Sequence, residues 1–298
     1  MKNQKKAMLF GFITVLLWST VASAFKLTLS YFAPIQMVLL ASITSIVLLF
    51  SIAAYQRKLL LLAKYFCKQP LLYVSLGIIN PFLYYLILFK AYDLLPASQA
   101  QALNYTWAIT LTLLAVPFLG QKIRKQDWIA IILSYSGVLI IATKGDIFGL
   151  TFENPMGVGF ALLSTLIWAG YWIINAQNKN DPIISLLLGF LLSLPFTITA
   201  TAIMADFNFD SFAGVMGAVY IGLFEMGIAF VLWLMAIKLA VNTAQVSNLI
   251  FISPFISLFL LSVIVGEEIH PSTFVGLVVI ICGIVVQQIK LRKQPVTA

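Results

Sequence analysis

A chain of 298 residues that is 61% hydrophobic and 9% charged, with a mean hydropathy of +1.02, does not describe a soluble domain. Its formal net charge of +8 raises nucleic acid or acidic lipid as partners, so the positions of the charges have to decide. One histidine, His270, and two cysteines, Cys67 and Cys282, far apart in environment, leave no basis for a metal cluster or a disulfide framework, and no Gly-rich phosphate loop with Lys-Ser/Thr encodes an ATPase motor.

Ten apolar runs recur in chain order, at about 8–25, 33–54, 71–90, 96–118, 127–143, 156–175, 183–203, 213–237, 243–264 and 273–289. Each approaches the roughly 17–25 residues that a helix needs to cross a hydrocarbon core about 30 Å thick. Runs of this length without strict alternation read as helices rather than barrel strands, giving an all-α polytopic membrane protein. The short connectors leave no room for a soluble domain. We number the runs as spans 1 to 10.

Span 1 follows a basic segment and carries the Ala22-Ser23-Ala24 triplet, a pattern that imitates a cleavable secretory signal. Span 3 holds Asn80-Pro81 and Tyr84; the proline interrupts the backbone ladder at membrane depth and frees a carbonyl. On span 4, Gln101, Asn104, Trp107 and Ala108 fall on one helical face. Span 5 opens with Trp128, placed as an interface anchor. Span 6 carries Trp168, Tyr171 and Trp172. Span 8 is apolar from about Ala213 to Lys238 except for Glu225, and Gly222, Glu225, Ala229, Trp233 and Ala236 share a face at helical spacing. On span 9, Thr243, Ser247 and Phe251 align, with Asn248 beside them.

The charges report topology. With the N-terminus in the cytoplasm, fifteen of the eighteen basic residues fall inside and only Lys26, Lys90 and Lys144 outside, while Asp93, Asp146, Glu153, Asp206, Asp210, Glu267 and Glu268 all fall outside. This is the positive-inside pattern, which places both termini in the cytoplasm and removes the need for a nucleic-acid partner. The lipid bilayer is the partner that composition demands.

A faint internal repeat organises the spans. Gln99, Leu103, Gly120, Ile123 and Gly137 recur as Gln245, Leu249, Gly266, Ile269 and Gly283, all 146 positions later. "LLWST" around Trp18 recurs as "LIWAG" around Trp168 after 150 positions. Two repeats of five helices, 1–145 and 146–298, follow. An odd number of spans per copy inserts the second copy inverted relative to the first, an architecture that offers two packings around a midplane site. Loss of span 1 would leave four helices facing five, so its retention is expected.

The five-plus-five plan, the Trp-Ser of span 1, "NPFLYYLILFKAYDLLPA" in span 3, the "GEEIHPSTFVGLVVIICGIVV" ending and Pro254 thirteen residues before Glu267 resemble the EamA family of the drug/metabolite transporter superfamily over essentially the whole chain. "LNYTWAITLTLLAVPFLGQK" is similar to the corresponding helix of the bacterial aromatic amino-acid exporters of that superfamily. It differs in having Ala108 where that branch has Pro after the Trp, and Gln121 where many EamA repeats have Glu after the Gly. The resemblance implies a small-molecule permease or exporter in the bacterial cytoplasmic (inner) membrane, working by alternating access and without a bound organic cofactor.

The residues themselves leave two readings open at each position. Glu225 is either a protonated structural partner of a neighbouring helix or a substrate counter-ion or proton-coupling group, since intramembrane acids tend to line pathways. Asn80, with Pro81, marks either a simple kink or a place where the freed carbonyl meets solute, and Asn104 and Asn248 serve as interhelical glue or as solute contacts. Trp18, Tyr84, Trp107, Trp168, Trp172 and Trp233 are belt anchors or the walls of a central cavity that accepts apolar or planar solutes, organic cations among them. An intramembrane enzyme of lipid or isoprenoid chemistry would ordinarily need clustered acids, a His or a metal site, which these positions do not offer. A non-transporting scaffold or sensor differs by giving no solute flux. The substrate and the oligomeric state are not legible.

Overall fold

In the chain every polar backbone group at membrane depth must be satisfied locally, and helices do this. The computed structural model of the protein describes residues 2–120, 123, 125–149, 154–176, 178–241, 245–246 and 249–288. Among these, nine helices are long and apolar enough to span a bilayer: Gln4–Leu29, Pro34–Tyr55, Pro70–Leu94, Ala97–Leu119, Lys125–Ala142, Pro155–Asn175, Pro182–Met204, Phe212–Leu239 and Pro271–Gln288. The shorter apolar Leu249–Val265 is the ninth span in chain order. The protein is a polytopic, all-helical membrane protein, with each helix on its predicted run. Span 1 starts earlier than hydropathy indicates because the Asn3 side chain caps it, accepting from the Lys6 amide at 3.0 Å. The connector before span 3 is not a plain loop: Leu60–Lys68 forms a short helix with no buried side chain.

Three spans are broken, and the breaks shape the interior. In span 3, Pro70–Gly77 gives way to a π-helical turn, Ile78–Leu83, before Tyr84–Leu94. Asn80 leaves helical geometry there, at φ −145° and ψ 120°, and precedes Pro81 through a cis bond. A proline excludes the residue before it from the α region. In span 8, Phe212–Tyr220 passes into a π turn at Ile221–Glu225, and Ile228–Leu239 follows after Gly227. The expected single face through Gly222, Glu225, Ala229, Trp233 and Ala236 is kept only in part across this break: Glu225 and Trp233 border the same interior cavity, whereas Gly222 does not. Gly222 packs instead on span 2, where Ser45 Oγ donates to its carbonyl at 2.8 Å. Span 4 is interrupted at Tyr105–Thr106 although no proline stands there.

Small residues bring backbones together. A Cβ on Gly77 would lie 2.6 Å from the Gly189 carbonyl oxygen, joining span 3 to span 7. In the pair of spans 5 and 10, a Cβ on Gly137 would lie 2.6 Å from the Gly276 carbonyl, and one on Gly283 would lie 2.9 Å from the Ala130 carbonyl. A shift of 146 positions exchanges these two contacts. Gly120 and Gly266, related by the same shift, both end their helices in the left-handed region, at φ 65° and 73°.

Polar contacts pin the two ends of the bundle. At the N-terminal end, Lys58 pairs with Asp181 at 2.6 Å, and the same carboxylate caps span 7 by accepting from the Ile183 and Ile184 amides. Partial burial raises the proton affinity of Asp181, but the Lys58 ammonium and these amides outweigh it and hold the carboxyl below its usual range. At the far end, three groups grip the connector between spans 3 and 4. Lys26 Nζ donates to the carbonyls of Tyr92 and Leu95, Asn154 donates to Leu94, and Glu267 accepts from the amides of Ala97 and Ser98 at 2.8 and 3.0 Å.

Candidate functional site

The three broken spans, with three others, border a cavity of about 170 Å³. Its walls come from spans 1, 3, 4, 6, 8 and 9, and the spans numbered 2, 5, 7 and 10 contribute none of its lining residues. Of the ten residues singled out from sequence, eight border it: Trp18, Tyr84, Asn104, Trp107, Trp168, Trp172, Glu225 and Trp233. Asn80 does not. It is buried beside the break in span 3 with its Oδ1 lacking a hydrogen-bond partner among the described residues. Asn248, with Thr243 and Ser247, lies outside the described residues. Trp128 is 55% exposed on the bundle surface, as an interface anchor should be.

The aromatic wall is built in two groups. Trp168 stacks on Tyr84 at 4.4 Å between ring centroids and on Tyr171 at 5.4 Å, and meets Trp172 edge-on at 5.8 Å. Trp18 packs against Trp233 at 5.4 Å. Phe230 joins the groups, lying 6.1 Å from both Trp18 and Trp168. Each such pair is worth about 0.5–1.5 kcal/mol beyond its buried area, so this wall is held rigidly. Trp107 borders the cavity but forms no ring pair among the described residues.

Polar groups on this cavity are few and incompletely matched. Glu225 Oε1 accepts from the buried Tyr85 hydroxyl at 3.2 Å, while Oε2 is buried with no partner among the described residues. Gln101 Oε1 and Trp172 Nε1 are in the same condition. Asn104 Nδ2 donates to Ser164 Oγ at 2.9 Å. A buried polar group without a partner costs about 1–3 kcal/mol, and three of them belong to residues that border this cavity. Among the described residues no Lys, Arg or His lines the cavity. Lys26, on the facing span 1, is committed to backbone carbonyls, and Lys90 pairs with Asp93 at 2.6 Å.

Residues 5–143 and, again, 155–287 match the family described as "EamA-like transporter family". The chain belongs to this family. An "Aromatic amino acid exporter YddG" of Ancylobacter novellus is 26% identical over 291 residues, covering 95% of this chain and 96% of that protein. An "Uncharacterized transporter YoaV" of Bacillus subtilis is 23% identical, with 93% and 94% covered. An "Uncharacterized transporter" of Clostridium kluyveri is 25% identical over 206 residues, which span 66% of this chain and 65% of that protein. A solved crystal structure shares the fold, with a TM-score of 0.68 at 21% identity over 96% of this chain and 97% of the other. As a member of the EamA-like family the chain is a membrane transporter, and the family membership points away from an enzyme.

The sequence reading missed Phe25, Leu88, Tyr92, Tyr105 and Phe230, all on the cavity, and Tyr85, the partner of Glu225. Part of the signal was available. Leu88 and Tyr92 follow Tyr84 by one and two helical turns, and Phe25 follows Trp18 by two, so the faces of the chosen residues pointed to them. Tyr105 sits in the break of span 4, where periodicity gives no guidance.

Proposed function

We propose that this EamA-like protein exports a small ring-bearing solute across the cytoplasmic membrane of a bacterium, by alternating access around the cavity. The observation that carries this is the cavity itself. Its aromatic wall borders a volume close to the roughly 150 Å³ that suffices for one benzene-sized ring, and Glu225, Gln101 and Asn104 place a few polar groups on it. The printed name of the Ancylobacter relative agrees in substrate class and direction.

Two inverted repeats, 1–145 and 146–298, supply the two packings that alternating access requires. The double family match, the paired glycine turns at Gly120 and Gly266 and the exchange of the Gly137 and Gly283 contacts support this reading. Glu225, alone as an acid on the cavity, is the group that would take a proton on one side and release it on the other, in exchange for solute. With fifteen of eighteen basic residues assigned to the N-terminal end, that end and both termini face the cytoplasm.

Counterflow of a labelled ring-bearing solute into proteoliposomes preloaded with the same compound tests the transport reading. Trp107 offers an unpaired ring, so Trp107→Ala should weaken solute affinity by about 1–2 kcal/mol, roughly five- to thirtyfold in Kd, while Trp128→Ala leaves it unchanged. Equal losses in both variants, or no counterflow for any solute in the wild type, would refute it.

Topology is tested separately. Cys67, exposed in the short helix before span 3, should resist a membrane-impermeant thiol reagent in intact spheroplasts and react after permeabilisation. Cys282 lies within span 10 on the bundle surface, against lipid, and should react poorly in both conditions. Ready labelling of Cys67 in intact spheroplasts would reverse the orientation.

A further inference from the structure

We propose that the solute preferred by this cavity is an aromatic amine in its cationic form, rather than an amino-acid zwitterion or an aromatic acid. This rests on the transport reading for its site, and it narrows the class of ring-bearing solute. The cavity is electrically one-sided: among the described residues Glu225 is the one carboxyl that lines it, and no Lys, Arg or His does. Lys26 is held by the carbonyls of Tyr92 and Leu95, Lys90 by Asp93, and Lys238 lies at the last turn of span 8. The helix N-terminus at Ala97, which would otherwise attract an anion, is already occupied by the Glu267 carboxylate.

A solute carboxylate would therefore meet a cavity whose one ionisable side chain is itself an acid, with only neutral donors beside it. An ammonium meets the opposite case. Among the described residues Glu225 Oε2 and Gln101 Oε1 are acceptors without a donor, and the terminal torsion of a glutamate is broad enough to turn the free oxygen toward the cavity. The ring faces around them carry negative quadrupole potential, which favours a cation over a neutral solute of the same shape. Tyr85, by donating to Oε1, fixes one oxygen and leaves the other for the solute. The aryl group then occupies the aromatic wall and the amine lies at Glu225.

The test is titration calorimetry on the purified full-length protein with 2-phenylethylamine, L-phenylalanine, 3-phenylpropanoate and 2-phenylethanol, which share a ring and differ in charge. The amine should bind at least about tenfold tighter than the amino acid, the acid or the alcohol. In Glu225→Gln the ratio of amine to alcohol affinity should fall about tenfold or to the remainder that the ring faces alone supply, while Glu225→Asp, which keeps the charge, should retain the preference. Phenylalanine or phenylpropanoate binding as tightly as the amine, an amine preference undiminished in Glu225→Gln, or no binding by any of the four would overturn the proposal. Counterflow separates this from the transport reading. Flux of phenylalanine without an amine preference removes the present inference and leaves transport standing. A tenfold amine preference with no flux of any probe supports the inference and removes the transport reading.

Discussion

Replacing Glu267 by Ala should open the far end of the cavity, which faces the outside under the proposed topology. Its carboxylate accepts from the amides of Ala97 and Ser98 and thereby ties the end of span 9 to the start of span 4, across 169 and 170 residues of chain. These are charge-assisted bonds at a helix N-terminus, where an anion also meets the favourable end of the helix dipole. Losing such a contact costs about 1–3 kcal/mol of coupling, which moves a two-state equilibrium by about 5–150-fold. The remaining grips, from Lys26 and Asn154, act on the residues just before span 4 and keep the helices folded while its first turn is released. The readout is a cysteine at Leu88, on the cavity wall, in a background with Cys67 and Cys282 changed to Ser. Labelling by an impermeant reagent from the far side should accelerate about tenfold or more in Glu267→Ala. Glu267→Gln keeps one acceptor oxygen and should fall between. An unchanged labelling rate in a well-folded Glu267→Ala protein would show that this contact does not hold the cavity shut.

The spans were legible because burial in lipid demands length and continuous apolarity, two properties that a linear sequence displays directly. The residues of the cavity were legible for a related reason. A carboxyl such as Glu225, or an amide such as Asn104, stands out against an apolar run because membrane burial makes each one costly. What periodicity could not supply were the breaks. The face drawn through Gly222 and Trp233 assumed an unbroken helix, whereas the π turn at Ile221–Glu225 and the turn at Met226–Gly227 reset the register between them. Span 4 breaks at Tyr105–Thr106 without proline, so no residue type announced it. Nor could local sequence reveal the far-end grips, since Glu267 and Lys26 act on backbone atoms of distant segments, and a backbone donor or acceptor leaves no sequence signature.

The repeat leads to a different expectation, for the parts of the bundle that never touch solute. Spans 5 and 10 cross where Gly137 and Gly276 lie, and neither span lines the cavity. At Gly137 an added methyl would lie 2.6 Å from the Gly276 carbonyl oxygen and 3.1 Å from the Ile280 amide nitrogen, both backbone atoms that cannot rotate aside. Gly137→Ala must therefore push the helices apart, at a cost in the range of about 1–3 kcal/mol typical of overpacking, and Gly137→Leu should exceed it. Helix propensity acts in the opposite sense, since Ala is favoured over Gly within a helix by about 0.5–1 kcal/mol. Gly159 isolates that term, because nothing lies within 4 Å of the methyl it would gain. Thermal unfolding of the detergent-purified protein should thus show a lowered midpoint for Gly137→Ala and an unchanged or raised one for Gly159→Ala. Solute affinity of the folded fraction should be that of the wild type in both, as spans 5 and 10 act as a frame around the six spans that enclose the solute. A Gly137→Ala protein as stable as the wild type would mean that the two helices do not cross as closely as these carbonyl contacts require.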